Sequence, residues 1–130
     1  ACCPIQSLAE YQDPNVVKVV RNHRQLAAYF SRAPIPWIRD GGSSDHPNMQ
    51  WSESRRHLGI YAYHVGYLTR FCELPPAPTE MTEKLEQLRA LWHGDAIVVC
   101  DASVIPGPGV DSPHDLRRVV EYFESLLATD

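Results

Sequence analysis

Short apolar runs alternate with polar stretches along this chain, and their period changes partway through. Residues 16–20 read VVKVV and residues 26–30 read LAAYF, with the polar stretch RNHRQ between them. Short, β-branched and aromatic runs of this kind predict two strands joined by a loop. The apolar start ACCPI predicts a further strand. In HLGIYAY, residues 57–63, His57, Gly59, Tyr61 and Tyr63 alternate with Leu58, Ile60 and Ala62, which predicts another. A short helix follows through Val65, Leu68 and Phe71, and the proline-rich LPPAPT, residues 74–79, is a connector. Met81, Leu85, Leu88, Leu91 and Trp92 then recur at i, i+4, i+7, i+10 and i+11, the stripe of one amphipathic helix. Glu83, Glu86 and Ala90 fall on its opposite face with Gln87 beside them, and Gly94 ends it. AIVVC, residues 96–100, reads as a buried strand. Ser112 as N-cap, Pro113 at the first helical position and Asp115 open a last helix, with Leu116, Val119, Val120, Phe123, Leu126 and Leu127 as its core face. Strands alternating with helices predict an α/β class, a layered mixed sheet with flanking helices.

At 130 residues the chain is expected to form a single domain, residues 1–130, large enough for a core without disulfides. The fractions of hydrophobic (44%) and charged (22%) residues are those of a folding sequence. No apolar run approaches the roughly 20 residues of a membrane span and no signal-peptide pattern opens the chain, so a soluble cytoplasmic protein without a membrane partner is expected. A formal net charge of −4 argues against nucleic acid as a partner. Ten of the twelve basic residues are Arg; this is either compositional bias or a taste for forked recognition of carboxylates and phosphates. Cys2, Cys3, Cys72 and Cys100 lack zinc or redox spacing and read as reduced, with Cys100 buried in its apolar run. The chain opens on an apolar run rather than on Met, as expected of a processed chain or the later part of a longer one.

Candidate chemistry is sparse. There is no phosphate loop or dinucleotide fingerprint, and the prolines of PGPG lack the donors a phosphate cradle needs. No nucleophile motif accompanies the scattered histidines. In SRAPIPWIRDGG the prolines and paired glycines exclude helix, so Arg32 and Arg39 sit on irregular or edge backbone. The polar loop that follows, residues 40–54, is long enough to be functional. His57 and Tyr61 share a strand face with Gly59 between them. That face is either ordinary packing or a trough about 13 Å long, enough to frame a sugar. Glu86 and Gln87 are most simply the solvated side of their helix. Asp111 either favours the positive end of the last helix or holds Mg²⁺, which takes one or two protein carboxylates.

Taken together, NVVKVV, YFSRAPIPWIRD, RRHLGIYAY, EKLEQLRALWHG and PGPGVDSPHDL, in this order, resemble the 3-deoxy-manno-octulosonate (Kdo) cytidylyltransferases from about Pro4 to the end of the chain. The resemblance implies a nucleotide-diphospho-sugar-transferase-like fold. It implies an enzyme that joins CTP to the acid sugar Kdo, giving CMP-Kdo and pyrophosphate for lipopolysaccharide biosynthesis, with Mg²⁺ as cofactor and a homodimer as the assembly. It places Arg32, Arg39, His57, Tyr61, Glu86 and Gln87 at the sugar and Asp111 at the metal, with no catalytic side chain beyond these ligands. Arg suits a sugar carboxylate through paired hydrogen bonds.

The family's basic phosphate-binding motif and its second metal aspartate have no counterpart here. The chain is therefore expected to be the C-terminal part of such an enzyme, its sugar-binding and dimerisation side, without the N-terminal nucleotide-binding part. Two alternatives stand beside this: a non-catalytic Kdo-binding and dimerisation fragment, and a CMP-sialic acid synthetase.

Overall fold

The computed structural model describes residues 1–39, 53–107, 110 and 113–127. Strand β2 (Lys18–Arg21) grows out of VVKVV and strand β3 (Ala27–Ser31) out of LAAYF, paired antiparallel with Val19 opposite Phe30. Their connection is fixed by Asn22, whose Oδ1 accepts from Arg24 N at 2.8 Å and Leu26 N at 3.1 Å. This is the local side-chain bonding that makes Asn a turn residue. Gln25 takes a left-handed φ of 62° in the same turn. Strands β1 (Cys2–Pro4) and β4 (Ser54–His57) complete a sheet of order β1-β4-β2-β3, antiparallel throughout. The four strands of the sheet expected to be mixed are all antiparallel, and the parallel pairing of Cys2 with Asp101 is an isolated bridge outside their ladders.

Helix α1 (Leu8–Gln12) starts at Ser7, whose Oγ accepts from Glu10 N at 3.1 Å. Further helices are α2 (Val65–Glu73), α3 (Pro78–Glu83), α4 (Gln87–Trp92) and α5 (Pro113–Leu127). The core joins Cys2, Val19 and Phe30 of the sheet to Leu85, Leu88 and Val99. Burying side chains of this size contributes roughly 1.5–3 kcal/mol each. On the sheet, Lys18 is fully buried, and its Nζ donates to the carbonyls of Asp13 (2.7 Å), Val16 (2.6 Å) and Arg32 (2.6 Å). Three carbonyls use all three donors of the ammonium, and burial lowers its pKa.

Several expectations are corrected. The strand read over residues 57–63 ends at His57, and residues 58–64 carry no regular structure. The single helix from Met81 to Trp92 is two helices, α3 and α4. Lys84 adopts the left-handed region (φ 56°), with its N–H on Glu80 O at 2.8 Å, which breaks the period between them. Only the middle of the apolar stripe is therefore buried: Leu85 and Leu88 lie in the core, while Met81 and Trp92 are exposed. Ala90 and Gln87, assigned to the solvated face, are buried.

AIVVC is not a strand. Ile97 and Val99 bond to the β2–β3 turn region through Ala27 N and Gln25 O, while Val98 and Cys100 are exposed, which overturns a buried Cys100. Four cysteines are free, as expected. The last helix forms as α5 and Gly94 closes α4 with φ 82°. Of the intended core face of α5, Leu116, Val120, Phe123 and Leu127 are exposed and Val119 is half-buried. Ser112 lies outside the described residues. Among the described residues no helix is long and apolar enough to cross a membrane.

Candidate functional site

The end of β4 and the irregular chain after it create the site. His57 is held by the sheet, its N–H on Val17 O at 2.8 Å, and its ring meets the edge of Phe30 with centroids 5.1 Å apart. Where the backbone leaves the sheet, the side chains keep their order by stacking. His57 packs on Tyr61 (5.4 Å), Tyr61 on Tyr63 (5.8 Å), Tyr63 on Tyr67 (6.1 Å) and Tyr67 on Phe71 (6.1 Å). These rings form one wall of a cavity of about 610 Å³. Gln87 and Ala90 from α4 and the segment from Ala96 to Cys100 line it as well.

Helix α2, which carries Tyr67 and Phe71, is fastened at both ends by charge. Tyr67 Oη donates to Asp95 Oδ2 at 3.1 Å, and Arg70 also bonds Asp95. Farther along, Arg89 lies over the Phe71 ring at 5.1 Å while its Nε donates to Glu80 Oε2 at 2.8 Å. That bond holds the Glu80 carboxyl below its usual range.

The electrostatics of the wall are neutral. Burial lowers the His57 pKa to about 4, so the ring is an uncharged imidazole at neutral pH. Burial, with the charges of Tyr63 and Glu86 adding, raises that of Tyr61. A phenol and a neutral imidazole then share a hydrogen bond of 2.7 Å between Tyr61 Oη and His57 Nε2. Gln87 lines the cavity and is 8% exposed; its Nε2 is buried and has no hydrogen-bond partner among the described residues. A buried amide donor without a partner costs about 1–3 kcal/mol. An apolar, aromatic cavity with a few convergent polar groups suits a small hydroxylated ring.

The expected residues divide into groups. His57, Tyr61 and Gln87 meet at this cavity. Glu86, the N-cap of α4, is exposed and lines a smaller hollow of about 180 Å³ with Glu80, Met81, Lys84 and Leu85. Arg32 stands just past β3, with its Nε on Glu83 O at 2.9 Å and its Nη1 on Pro14 O at 3.2 Å. Arg39 is exposed in a turn at the end of the same irregular segment. Asp111 lies outside the described residues, and among those described no three His, Cys, Asp or Glu gather as a metal site.

The sequence reading missed Tyr67, Phe71 and the segment from Ile97 to Cys100 as cavity wall. The spacing of Tyr61, Tyr63, Tyr67 and Phe71 was the available signal. It placed Glu83 on the polar face of a helix, whereas its carboxylate accepts from Ser31 Oγ at 2.6 Å and Arg32 N at 2.9 Å.

A family model described as cytidylyltransferase matches residues 3–97. The 3-deoxy-manno-octulosonate cytidylyltransferase of Leptothrix cholodnii is 50% identical over 119 residues, 92% of this chain and 44% of the relative. That of Alkalilimnicola ehrlichii is 54% identical over 127 residues, covering 94% and 46%. A solved structure described as CMP:2-keto-3-deoxy-manno-octonic acid synthetase complexed with CTP superposes with a TM-score of 0.77 at 39% identity. It matches 95% of this chain and 47% of that one. The chain thus spans about half the length of the curated relatives it matches.

Proposed function

Because the chain belongs to the cytidylyltransferase family, we propose that it is the C-terminal, sugar-binding and dimerisation portion of a Kdo cytidylyltransferase. The complete enzyme would take CTP and Kdo to CMP-Kdo and pyrophosphate in the cytoplasm for lipopolysaccharide assembly. The sugar hydroxyl forms the new O–P bond at the α-phosphorus and pyrophosphate leaves. Such transfer rests on positioning and electrostatics more than on a nucleophilic side chain.

The supporting observation is Gln87. The residue lines the cavity beside the neutral His57–Tyr61 pair, and its buried Nε2 has no partner among the described residues. The amide and the ring nitrogen would meet sugar hydroxyls, and the Tyr61 ring would cover an apolar sugar face. Arg32 and Arg39 would read the carboxylate from outside the aromatic wall. Asp111 would be one protein ligand for Mg²⁺, which neutralises phosphate charge when bound. Relatives named for this reaction at about 50% identity support the same assignment.

The test is pyrophosphate release with CTP, Kdo and Mg²⁺. The 130-residue chain alone is expected to be silent. Release should appear on adding the part of the Leptothrix cholodnii relative that this chain does not match. Turnover by the chain alone would overturn the divided site. Silence of the mixture, with Kdo shifts in an NMR titration, would leave a binding fragment. Absence of both would overturn the sugar site.

A further inference from the structure

Arg32 is held more completely than an exposed substrate-binding arginine requires, and half of the hold comes from Glu83. This residue closes α3, and its two carboxylate oxygens are divided between neighbours on the departing strand. Oε1 accepts from Ser31 Oγ at 2.6 Å and Oε2 from Arg32 N at 2.9 Å. The Glu83 carbonyl accepts Arg32 Nε at 2.9 Å. From the other side Lys18 Nζ donates to Arg32 O at 2.6 Å, and Arg32 Nη1 reaches Pro14 O at 3.2 Å. Ser31 Oγ, having donated to Glu83, accepts from Ala33 N at 3.0 Å and carries the hold one residue further.

The amide, carbonyl and guanidinium of Arg32 are therefore all tied where β3 ends and the irregular segment to Arg39 begins. Two residues before Arg32, Phe30 lines the cavity against the His57 ring. With Nε and one Nη on protein carbonyls, the guanidinium meets any anion from one orientation. An arginine fixed in that way loses little entropy on pairing with a carboxylate.

We propose that Glu83 is a positioning residue for the carboxylate end of the sugar site, setting the direction of Arg32 through its bonds to Ser31 and the Arg32 backbone. The inference rests on the reading that Arg32 receives the acid-sugar carboxylate. Glu83 itself touches no substrate. A carboxylate is needed because it alone accepts from both donors. Glutamine in its place offers one acceptor oxygen, so its amide N–H must face either the Arg32 N–H or the Ser31 hydroxyl, and that hydroxyl would then have to accept instead of donate.

The experiment compares the affinity of the 130-residue chain for Kdo with that for its uncharged C1 amide, by calorimetry or NMR titration. In the unaltered chain Kdo should bind about tenfold or more tighter. Glu83→Gln should erase most of that preference while the amide binds as before. If that variant fails to fold, Ser31→Ala, which removes one of the two carboxylate partners, should reduce the preference about threefold.

Equal weakening of both ligands would make Glu83 merely structural and overturn the proposal. A preference untouched in Glu83→Gln but lost in Arg32→Gln would overturn it while leaving the Arg32 reading intact. A preference that survives Arg32→Gln, or no binding of Kdo by the unaltered chain, would overturn that reading and the proposal with it.

Discussion

The β3 edge and the aromatic cavity lie at the same end of the sheet and treat their polar groups in opposite ways. At the edge, Lys18, Ser31 and Glu83 spend their bonds within the protein, and Arg32 spends all but the outer part of its guanidinium there. At the cavity, His57 and Tyr61 are neutral and Gln87 keeps an unsatisfied donor. Buried polar atoms are nearly always paired, so a satisfied cluster reads as architecture and an unsatisfied one as a place for a ligand. The contrast teaches that charge density alone is a poor guide to the site. Here the most heavily charged corner orients, and the quieter one is left with a bond to make.

The sharpest way to break this comparison is at Lys18. Lys18→Met would leave the carbonyls of Asp13, Val16 and Arg32 without their shared donor in a fully buried position. Unmade buried hydrogen bonds at roughly 1 kcal/mol or more each predict a loss of about 3 kcal/mol or more, read from the urea midpoint at unchanged slope. A loss under about 1 kcal/mol would show that the corner is not the structural anchor described.

How much of this was legible beforehand follows the same division. The β2–β3 pair was readable because β-branched runs and a polar turn are local signals, and Gly94 and Pro113 marked helix ends for equally local reasons. The corner was not. Glu83 falls on the polar face of an idealised helix, and nothing local says that Lys84 will adopt φ 56° and turn the chain. That break follows a Glu80 held by Arg89 and Ala77 and a Glu83 held by the strand. Both are tertiary contacts. The alternation of residues 57–63 was real but misassigned, because aromatic stacking rather than a sheet keeps Tyr61 and Tyr63 in register. Gln87 was misjudged by the same helical period that hid Glu83.

A second effect, intermediate in size, separates the two regions by pH. The His57 pKa is lowered to about 4 in the folded protein, against about 6.5 in an unfolded chain. The unfolded state therefore takes up the proton first as pH falls. Stability from the neutral ring is fully present above about pH 6.5 and is lost progressively down to about pH 4. The loss is at most about 3 kcal/mol, reduced by whatever solvent screening the partly exposed ring allows. His57→Gln should flatten this slope between pH 6.5 and 4, and a slope unchanged in that variant would assign the titration elsewhere.

The smallest effect on stability is the most telling, because its sign differs from that of its effect on binding. Gln87 occupies a position beside Leu88 and Ala90 that the core would accept as apolar, yet it buries an amide whose Nε2 has no partner. An unpaired buried donor is destabilising, so Gln87→Leu should leave stability unchanged or raise it by about 1 kcal/mol. If the amide is kept for a sugar hydroxyl, the same change should weaken Kdo about tenfold, because a hydrogen bond made only with ligand is lost. Lys18→Met must do the reverse and weaken the fold far more than any affinity measured on the folded fraction. Thermal melts and titrations of the two variants together decide the matter. If Gln87→Leu destabilises the protein and spares binding, the amide belongs to the architecture, and the distinction between spent and unspent polar groups fails where it was drawn.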